Sequence, residues 1–210
     1  MWPGRLCWGL LIRHLKLAHL LIYCVRQPLI FLRQRPWTMG MPKGVAVTHR
    51  AAAAFVDAEA RWFLADDPQP LGPDDRVLAG LSVAFDASCE EMWLVWRHGG
   101  CLVPAPRSLV RSEVDLGPWL LSRNITVVST VSTLAGFWPA EALDAVRLLI
   151  FGGQACPPEL VDRLATPGRK MWNICGSTEA TVMACGVRLL PGCPVLIGQP
   201  LDGWLPHRVG

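Results

Sequence analysis

The chain has 210 residues, of which 51% are hydrophobic and 18% charged, and its net charge is +3. This composition predicts a folded domain with a large buried core and argues against intrinsic disorder. Arginines are scattered and only three lysines occur, so no basic stripe indicates a nucleic-acid partner. The eight cysteines are irregularly spaced without a C-x-x-C pair. We therefore expect free, mostly buried thiols in a reducing compartment, the cytoplasm, rather than disulfides or a zinc site.

Residues 1–38 differ from the remainder because basic residues repeatedly interrupt an apolar sequence. Their longest uncharged stretch, residues 17–25, is shorter than the about 20 residues that cross a bilayer. No small-residue cleavage site indicates a secretory signal. We interpret 1–38 as a poorly specified replacement of an ancestral segment, with a basic amphipathic surface helix as the alternative. The domain core is expected at 39–204, followed by a tail at 205–210.

From residue 39 onward, short apolar runs alternate with helical patterns. This alternation predicts an α/β fold with a mainly parallel sheet flanked by helices. Such sheets bind ligands beyond the carboxyl ends of their strands. The predicted strands are 45–48, 76–82, 101–103, 125–129, 148–151 and 171–174, and the predicted helices are 51–64, 89–97, 114–123 and 158–164.

The first motif that carries chemistry is GMPKGVAVTHR, at residues 40–50. Gly40 and Gly44 allow the backbone to approach an anion, and Lys43 supplies a positive charge beside them. On these residues alone, phosphate binding and an ordinary turn before a strand are equally supported.

The second motif is VAFDASCEEMW, at residues 83–93. A carboxylate such as that of Asp86 favours an ammonium partner wherever an apolar pocket opens beside it. The alternative makes Asp86 a helix N-cap, with Glu90 in the first turn interacting with the helix dipole. Both roles of Asp86 can coexist.

Two further motifs follow strands. LLIFGGQACPPEL, at 148–160, takes a buried strand into two glycines and a proline-started helix, as expected of a turn that faces a ligand. WNICGSTEATV, at 172–182, takes a strand into a glycine and a Ser-Thr-Glu run that contains Thr178 and Glu179. Taken alone, its Ser-Thr-Glu run is more typical of a capping box.

Together, in this order and with VLIGQPLDG at 195–203, these motifs resemble the adenylate-forming, AMP-binding superfamily. They are most similar to the amino-acid adenylation domains of nonribosomal peptide synthetases. The resemblance implies a partial N-terminal adenylation domain, ATP and Mg²⁺ as cofactors, and conversion of an amino acid and ATP to aminoacyl-AMP and pyrophosphate.

The resemblance also implies roles for individual residues. Thr178 would bind the α-phosphate, and Glu179 would hold Mg²⁺. The nucleotide would be held by Gly40, Lys43, Gly44, Gly152, Gly153, Gln154, Asn173 and Gly176. The amino-acid pocket would be lined by Asp86, Ala87, Glu90, Ser129, Ile150, Gly152, Ile174, Val182 and Met183.

The chain also departs from the family pattern. Pro36 and Trp37 stand in the first half of the phosphate loop, Gln154 replaces a usual glutamate, and Cys175 replaces an aromatic residue. The ribose-binding aspartate, the hinge and the small domain with its catalytic lysine are expected to be absent. We therefore expect a fragment that is inactive alone and needs a carrier protein or the missing half on another chain. The alternative is a non-catalytic remnant that is at most a weak binding or interaction module.

Glu90 is the unusual residue of the implied pocket, where a small or apolar side chain is common. A desolvated carboxylate needs a cation, and none of the other implied lining residues is basic. We therefore expect a diamino acid such as lysine, ornithine or diaminobutyrate, with its side-chain ammonium on Glu90. The alternative is that Glu90 turns to solvent.

Overall fold

A computed structural model describes residues 29–34, 44–112 and 114–204, which fall into two compact units divided after Ala52. The first unit holds two antiparallel strands, β1 (Leu29–Gln34) and β2 (Gly44–Thr48). Helix α1 (His49–Glu59) follows β2, and the Thr48 hydroxyl caps it by accepting the Ala51 N–H at 3.1 Å.

Several predicted features lie outside the described residues. They include Gly40 and Lys43 of the predicted phosphate loop and the tail at 205–210. The N-terminal segment is also outside, except for residues 29–34, which form a strand rather than part of a helix.

The second unit is built on a seven-stranded sheet with the order β4-β3-β5-β6-β7-β8-β9. The first five strands of this order are parallel, and the last two are antiparallel additions. The prediction of a mainly parallel sheet is therefore confirmed. The strands are β3 (Arg76–Ala79), β4 (Cys101–Pro104), β5 (Val127–Thr130), β6 (Leu148–Phe151), β7 (Lys170–Cys175), β8 (Cys185–Leu189) and β9 (Gln199–Pro200).

Apolar clusters cover both faces of this sheet. Along β6, Leu148 and Ile150 join one cluster, whereas Leu149 and Phe151 join the other. Every residue of β6 is therefore buried, as is typical of a parallel strand between helical layers. The helices of this unit after α1 are α2 (Ala87–Arg97), α3 (Arg107–Val110), α4 (Leu116–Ser122), α5 (Ser132–Phe137) and α6 (Pro158–Leu164), with 3₁₀ turns at Ala140–Leu143 and Thr178–Ala180.

Two predicted elements are too long. The helix expected at 51–64 ends at Glu59, and the chain then turns, with Leu64 at a φ of 56°. The strand expected at 76–82 ends at Ala79, because the next two backbone N–H groups donate to the Glu91 carboxylate. The other predicted elements agree to within two residues at each end. Strands β1, β8 and β9 and helices α3 and α5 were not predicted.

The six cysteines within the described ranges are all free, but only Cys156 is buried. Cys175 and Cys193 are exposed, so the prediction of mostly buried thiols is wrong for this part of the chain. None of the described helices is both long and apolar enough to cross a bilayer.

Candidate functional site

The chain reverses its course across the sheet next to β3. Strand β4 lies on one side of β3, and the following strand, β5, lies on the other. Such a reversal leaves a crevice beyond the carboxyl ends of the strands, where α/β sheets bind ligands. The predicted residues follow the carboxyl ends of three parallel strands at this edge: Asp86 after β3, Gly152–Gln154 after β6, and Thr178 and Glu179 after β7.

Asp86 begins helix α2. Its carboxylate accepts a hydrogen bond from the Ala87 N–H at 3.0 Å, so the capping role that the sequence left open is present. Asp86 and Ala87 are both partly exposed. The loop before them is fixed by Glu91, a buried carboxylate that accepts the N–H groups of Gly80 at 3.0 Å and Leu81 at 3.2 Å. Sequence reasoning missed Glu91.

Glu90 is fully buried, with 0% of its surface exposed, so the alternative that it turns to solvent is wrong. The Ser129 hydroxyl, on β5, donates to Glu90 Oε1 at 3.1 Å. Glu90 Oε2 is buried without a hydrogen-bond partner among the described residues. Burial raises the pKa of Glu90 to about 8. The charge of Asp86 raises this pKa further, whereas the hydrogen bond from Ser129 lowers it.

Four of the predicted apolar lining residues, Ile150, Ile174, Val182 and Met183, belong to one buried cluster. Thr181 and Val182 both have left-handed backbone, with φ values of 65° and 71°. In an ordinary strand, successive side chains point to opposite faces. Here the turn places the neighbouring side chains of Val182 and Met183 in the same cluster.

Glu59 is a second buried carboxylate that sequence reasoning missed. It ends α1, none of its surface is exposed, and neither Oε1 nor Oε2 has a partner within the described part of the chain. Burial and the charge of Glu90 raise the pKa of Glu59 well above its ordinary value. The available sequence signal was its position four residues after Phe55, on the apolar side of the helix.

Three glycines shape the turns after β6 and β7. A Cβ atom on Gly152 would lie 2.9 Å from Ile174 Cγ1. One on Gly176 would lie 2.6 Å from both Met183 Cα and the Val182 carbonyl oxygen. Gly153 has a φ of 74°, a conformation that side chains disfavour. Beside it, exposed Gln154 accepts a hydrogen bond from the Thr133 hydroxyl at 2.8 Å.

Strand β7 and the turn after it carry the residues that could hold a nucleotide and a hard cation. Asn173 donates a hydrogen bond through Nδ2 to the Leu196 carbonyl oxygen at 2.8 Å. Its buried Oδ1 has no partner among the described residues, so it can accept a hydrogen bond from an amino group. Thr178 is buried and Glu179 is exposed. Ser177 makes no side-chain capping bond, so the capping-box alternative is not observed. Mg²⁺ bound with phosphates needs few protein carboxylates, and the exposed Glu179 is one that could hold it.

Comparison with known proteins shows the family to which the chain belongs. A family profile described as AMP-binding enzyme matches residues 38–205. Delta-poly-L-ornithine synthetase of Acinetobacter baumannii is 39% identical over 165 residues, which are 79% of this chain and 12% of that protein. A linear gramicidin synthase of Brevibacillus parabrevis is 41% identical over 145 residues, which are 69% of this chain and 3% of that protein.

Solved structures show the same fold. The adenylation domain AlmE of Vibrio cholerae, in complex with glycyl-adenosine-5'-phosphate, superposes with a TM-score of 0.72 at 23% identity. The match covers 82% of this chain and 33% of that one. This chain therefore spans only a small part of each of these proteins. It belongs to the AMP-binding enzyme family, with peptide-synthetase adenylation domains among its relatives.

Proposed function

We propose that this chain forms the amino-acid-binding core of an ATP-dependent adenylation domain, and that its amino acid is a diamino acid. The observation that carries the substrate class is Glu90, a carboxylate with 0% exposure whose Oε2 has no partner among the described residues.

Moving a charge from water into a protein interior costs free energy. An unpaired carboxylate inside a protein is costly, so it either holds a proton or pairs with a cation. Asp86 is partly exposed at the entrance, where it can meet the α-ammonium that every amino acid carries. Glu90, one helical turn further along α2, is left for a second ammonium on the side chain. Ornithine, in the name of one relative, is a diamino acid, which supports this assignment.

The nucleotide would lie across the turns after β6 and β7. ATP supplies the activated phosphate that an amino-acid carboxylate attacks when aminoacyl-AMP forms. Gly152, Gly153 and Gln154 would flank the adenine. Asn173 Oδ1 would accept a hydrogen bond from the adenine amino group. Gly176 would let the backbone approach the nucleotide, Thr178 would bind the α-phosphate, and Glu179 would hold Mg²⁺. The product would pass to a carrier protein, and further residues of the active site could come from another chain.

Calorimetric titration of the full chain tests the proposal, with ornithine, lysine and 2,4-diaminobutyrate against the neutral analogue norvaline. Glu90→Gln should weaken ornithine binding at least tenfold, about 1.4 kcal/mol, and leave norvaline binding unchanged. Glu159→Gln, at an exposed glutamate of α6, is the matched control. Equal affinities for ornithine and norvaline, unaffected by Glu90→Gln, would refute the diamino-acid assignment. No binding of any amino acid would refute the pocket itself.

A further inference from the structure

We propose that Glu59 is a second specificity residue. Its carboxylate and that of Glu90, which accepts a hydrogen bond from Ser129, would together bind one primary ammonium group of the substrate; we call these two carboxylates and the Ser129 hydroxyl the cradle. This inference rests on the proposed function and adds to it a residue on a different helix, α1.

The packing of α1 against α2 places the two glutamates together. The rings of Phe55 and Trp93 meet edge to face, with their centroids 6.1 Å apart. Glu59 lies four residues after Phe55, and Glu90 lies three residues before Trp93. Residues at these spacings share a helix face, so both carboxylates lie about one turn from the ring contact. The electrostatic effect of Glu90 on Glu59 reflects this proximity.

The hydrogen-bonding capacity of the pair matches an ammonium group. Ser129 occupies Glu90 Oε1, while Glu90 Oε2 and both oxygens of Glu59 lack partners among the described residues. These three acceptors equal the three N–H donors of a primary ammonium. A guanidinium is planar and carries five donors, so two of them would stay unsatisfied here. The cradle therefore favours ornithine or lysine over arginine.

The charge of the pair also needs a cation. Within the described ranges, no ion pair includes Glu59 or Glu90. The nearby titratable groups on α2 and its cap, Asp86 and Glu91, are acidic and add to the repulsion. Without ligand, burial raises the pKa of both carboxyls, so the folded chain binds their protons more tightly than two isolated glutamates would. An arriving ammonium stabilises the ionised forms, so ligand binding should release protons.

A double-mutant cycle in the full chain tests the cradle. Ornithine and norvaline are titrated into wild type, Glu59→Gln, Glu90→Gln and the double variant, in buffers of different ionisation enthalpy. We expect Glu59→Gln to weaken ornithine binding at least tenfold, to leave norvaline binding within twofold, and to reduce the number of protons released. The two substitutions should be non-additive because they act on one group. Unchanged ornithine affinity in Glu59→Gln would overturn the inference.

The outcomes separate this inference from the proposed function. Ornithine binding that depends on Glu90 but not on Glu59 refutes only the role of Glu59. Failure of both amino acids to bind refutes the proposed function, and the inference falls with it. Asp86→Asn supplies an independent check, since it should weaken ornithine and norvaline alike.

A measurement on the wild-type chain covers the case in which Glu59→Gln does not fold. The ¹³C carboxyl signals of the buried glutamates are followed by NMR during titration. Ornithine should shift the Glu59 and Glu90 signals, and norvaline should leave them in place. A Glu59 carboxyl chemical shift that does not change on addition of ornithine contradicts the inference. So does one that responds to Ca²⁺ or Mg²⁺ alone, which would indicate a metal site.

Discussion

Arg147 and Asp75 form a two-point ion pair, with Nε 2.9 Å from Oδ1 and Nη2 2.6 Å from Oδ2. Asp75 immediately precedes β3 and Arg147 immediately precedes β6, so the pair ties two parallel strands together at their amino ends. Burial alone would raise the pKa of Asp75, but hydrogen bonds from Arg147, Thr126 and Gly72 and the charge of Arg147 hold it below its ordinary value. The pair lies at the edge of the sheet opposite the candidate site.

Removing the carboxylate of this pair should destabilise the chain strongly. Asp75→Ala leaves a partly buried guanidinium without its anion, and we expect a loss of about 3 kcal/mol in the free energy of unfolding. Asp202→Ala breaks the exposed pair with Arg61 and should cost less than about 1 kcal/mol. Urea denaturation measures both values. Equal losses in the two variants would contradict a structural role for the Arg147–Asp75 pair.

Stability should fall as the pH rises, because of Glu90. Its pKa is about 8 in the folded chain against an ordinary value of 4.5, so the folded state binds the proton more tightly. The resulting stabilisation is complete below pH 4.5 and is lost as the pH rises through about 8. Urea denaturation at pH 5 and pH 8.5 should show a smaller loss in Glu90→Gln than in wild type. Glu159→Gln should follow wild type, and a loss in Glu90→Gln as large as in wild type would be inconsistent with a buried, protonated Glu90.

The turn after β7 should not tolerate a methyl group at position 176. In Gly176→Ala the new Cβ meets backbone atoms at 2.6 Å, so the turn must shift, at a cost of about 3 kcal/mol. Gly136→Ala is the matched control because no atom lies within 4 Å of its Cβ and α5 gains helix propensity. Thermal melts should show a lower Tm for the first variant and an unchanged or higher Tm for the second. A Tm for Gly176→Ala equal to that of wild type would contradict the close approach of these backbones.

The cysteines should differ in reactivity. Burial raises the pKa of Cys89 to about 12, assisted by Asp86, and that of Cys156 to about 11, whereas Cys175 and Cys193 are exposed. Because the thiolate is the nucleophile, iodoacetamide at pH 8 should label the exposed pair at least tenfold faster. Peptide mass spectrometry measures the rates, with urea-unfolded chain as the control in which the differences disappear. Equal rates in the folded chain would contradict the partial burial of Cys89 and the burial of Cys156.

The sequence was informative where a local pattern carries the structure. Asp86 and Glu90 lie in one contiguous motif at the start of a helix, and the apolar runs of β6 and β7 mark buried strands. The spacing of Glu59 from Phe55 indicated the apolar side of α1, but its complete burial depends on how α1 packs against α2, which periodicity alone does not determine. The early end of β3 was missed for a similar reason. It depends on Glu91, which lies on the following helix and takes the N–H groups that would have extended the strand.

The left-handed turn at Thr181 and Val182 has a consequence for how the amino-acid pocket that we propose can evolve. β-branched residues rarely adopt such backbone, so this turn is conformationally expensive, by about 1–2 kcal/mol at each residue. Substitutions at Val182 therefore change two properties at once, the shape of the pocket wall and the conformational preference of the turn. Glycine or asparagine there would relax the backbone and remove apolar surface from the wall. Met183 has no positive φ, so substitutions there change the packing of the buried cluster without changing the conformational preference of the turn.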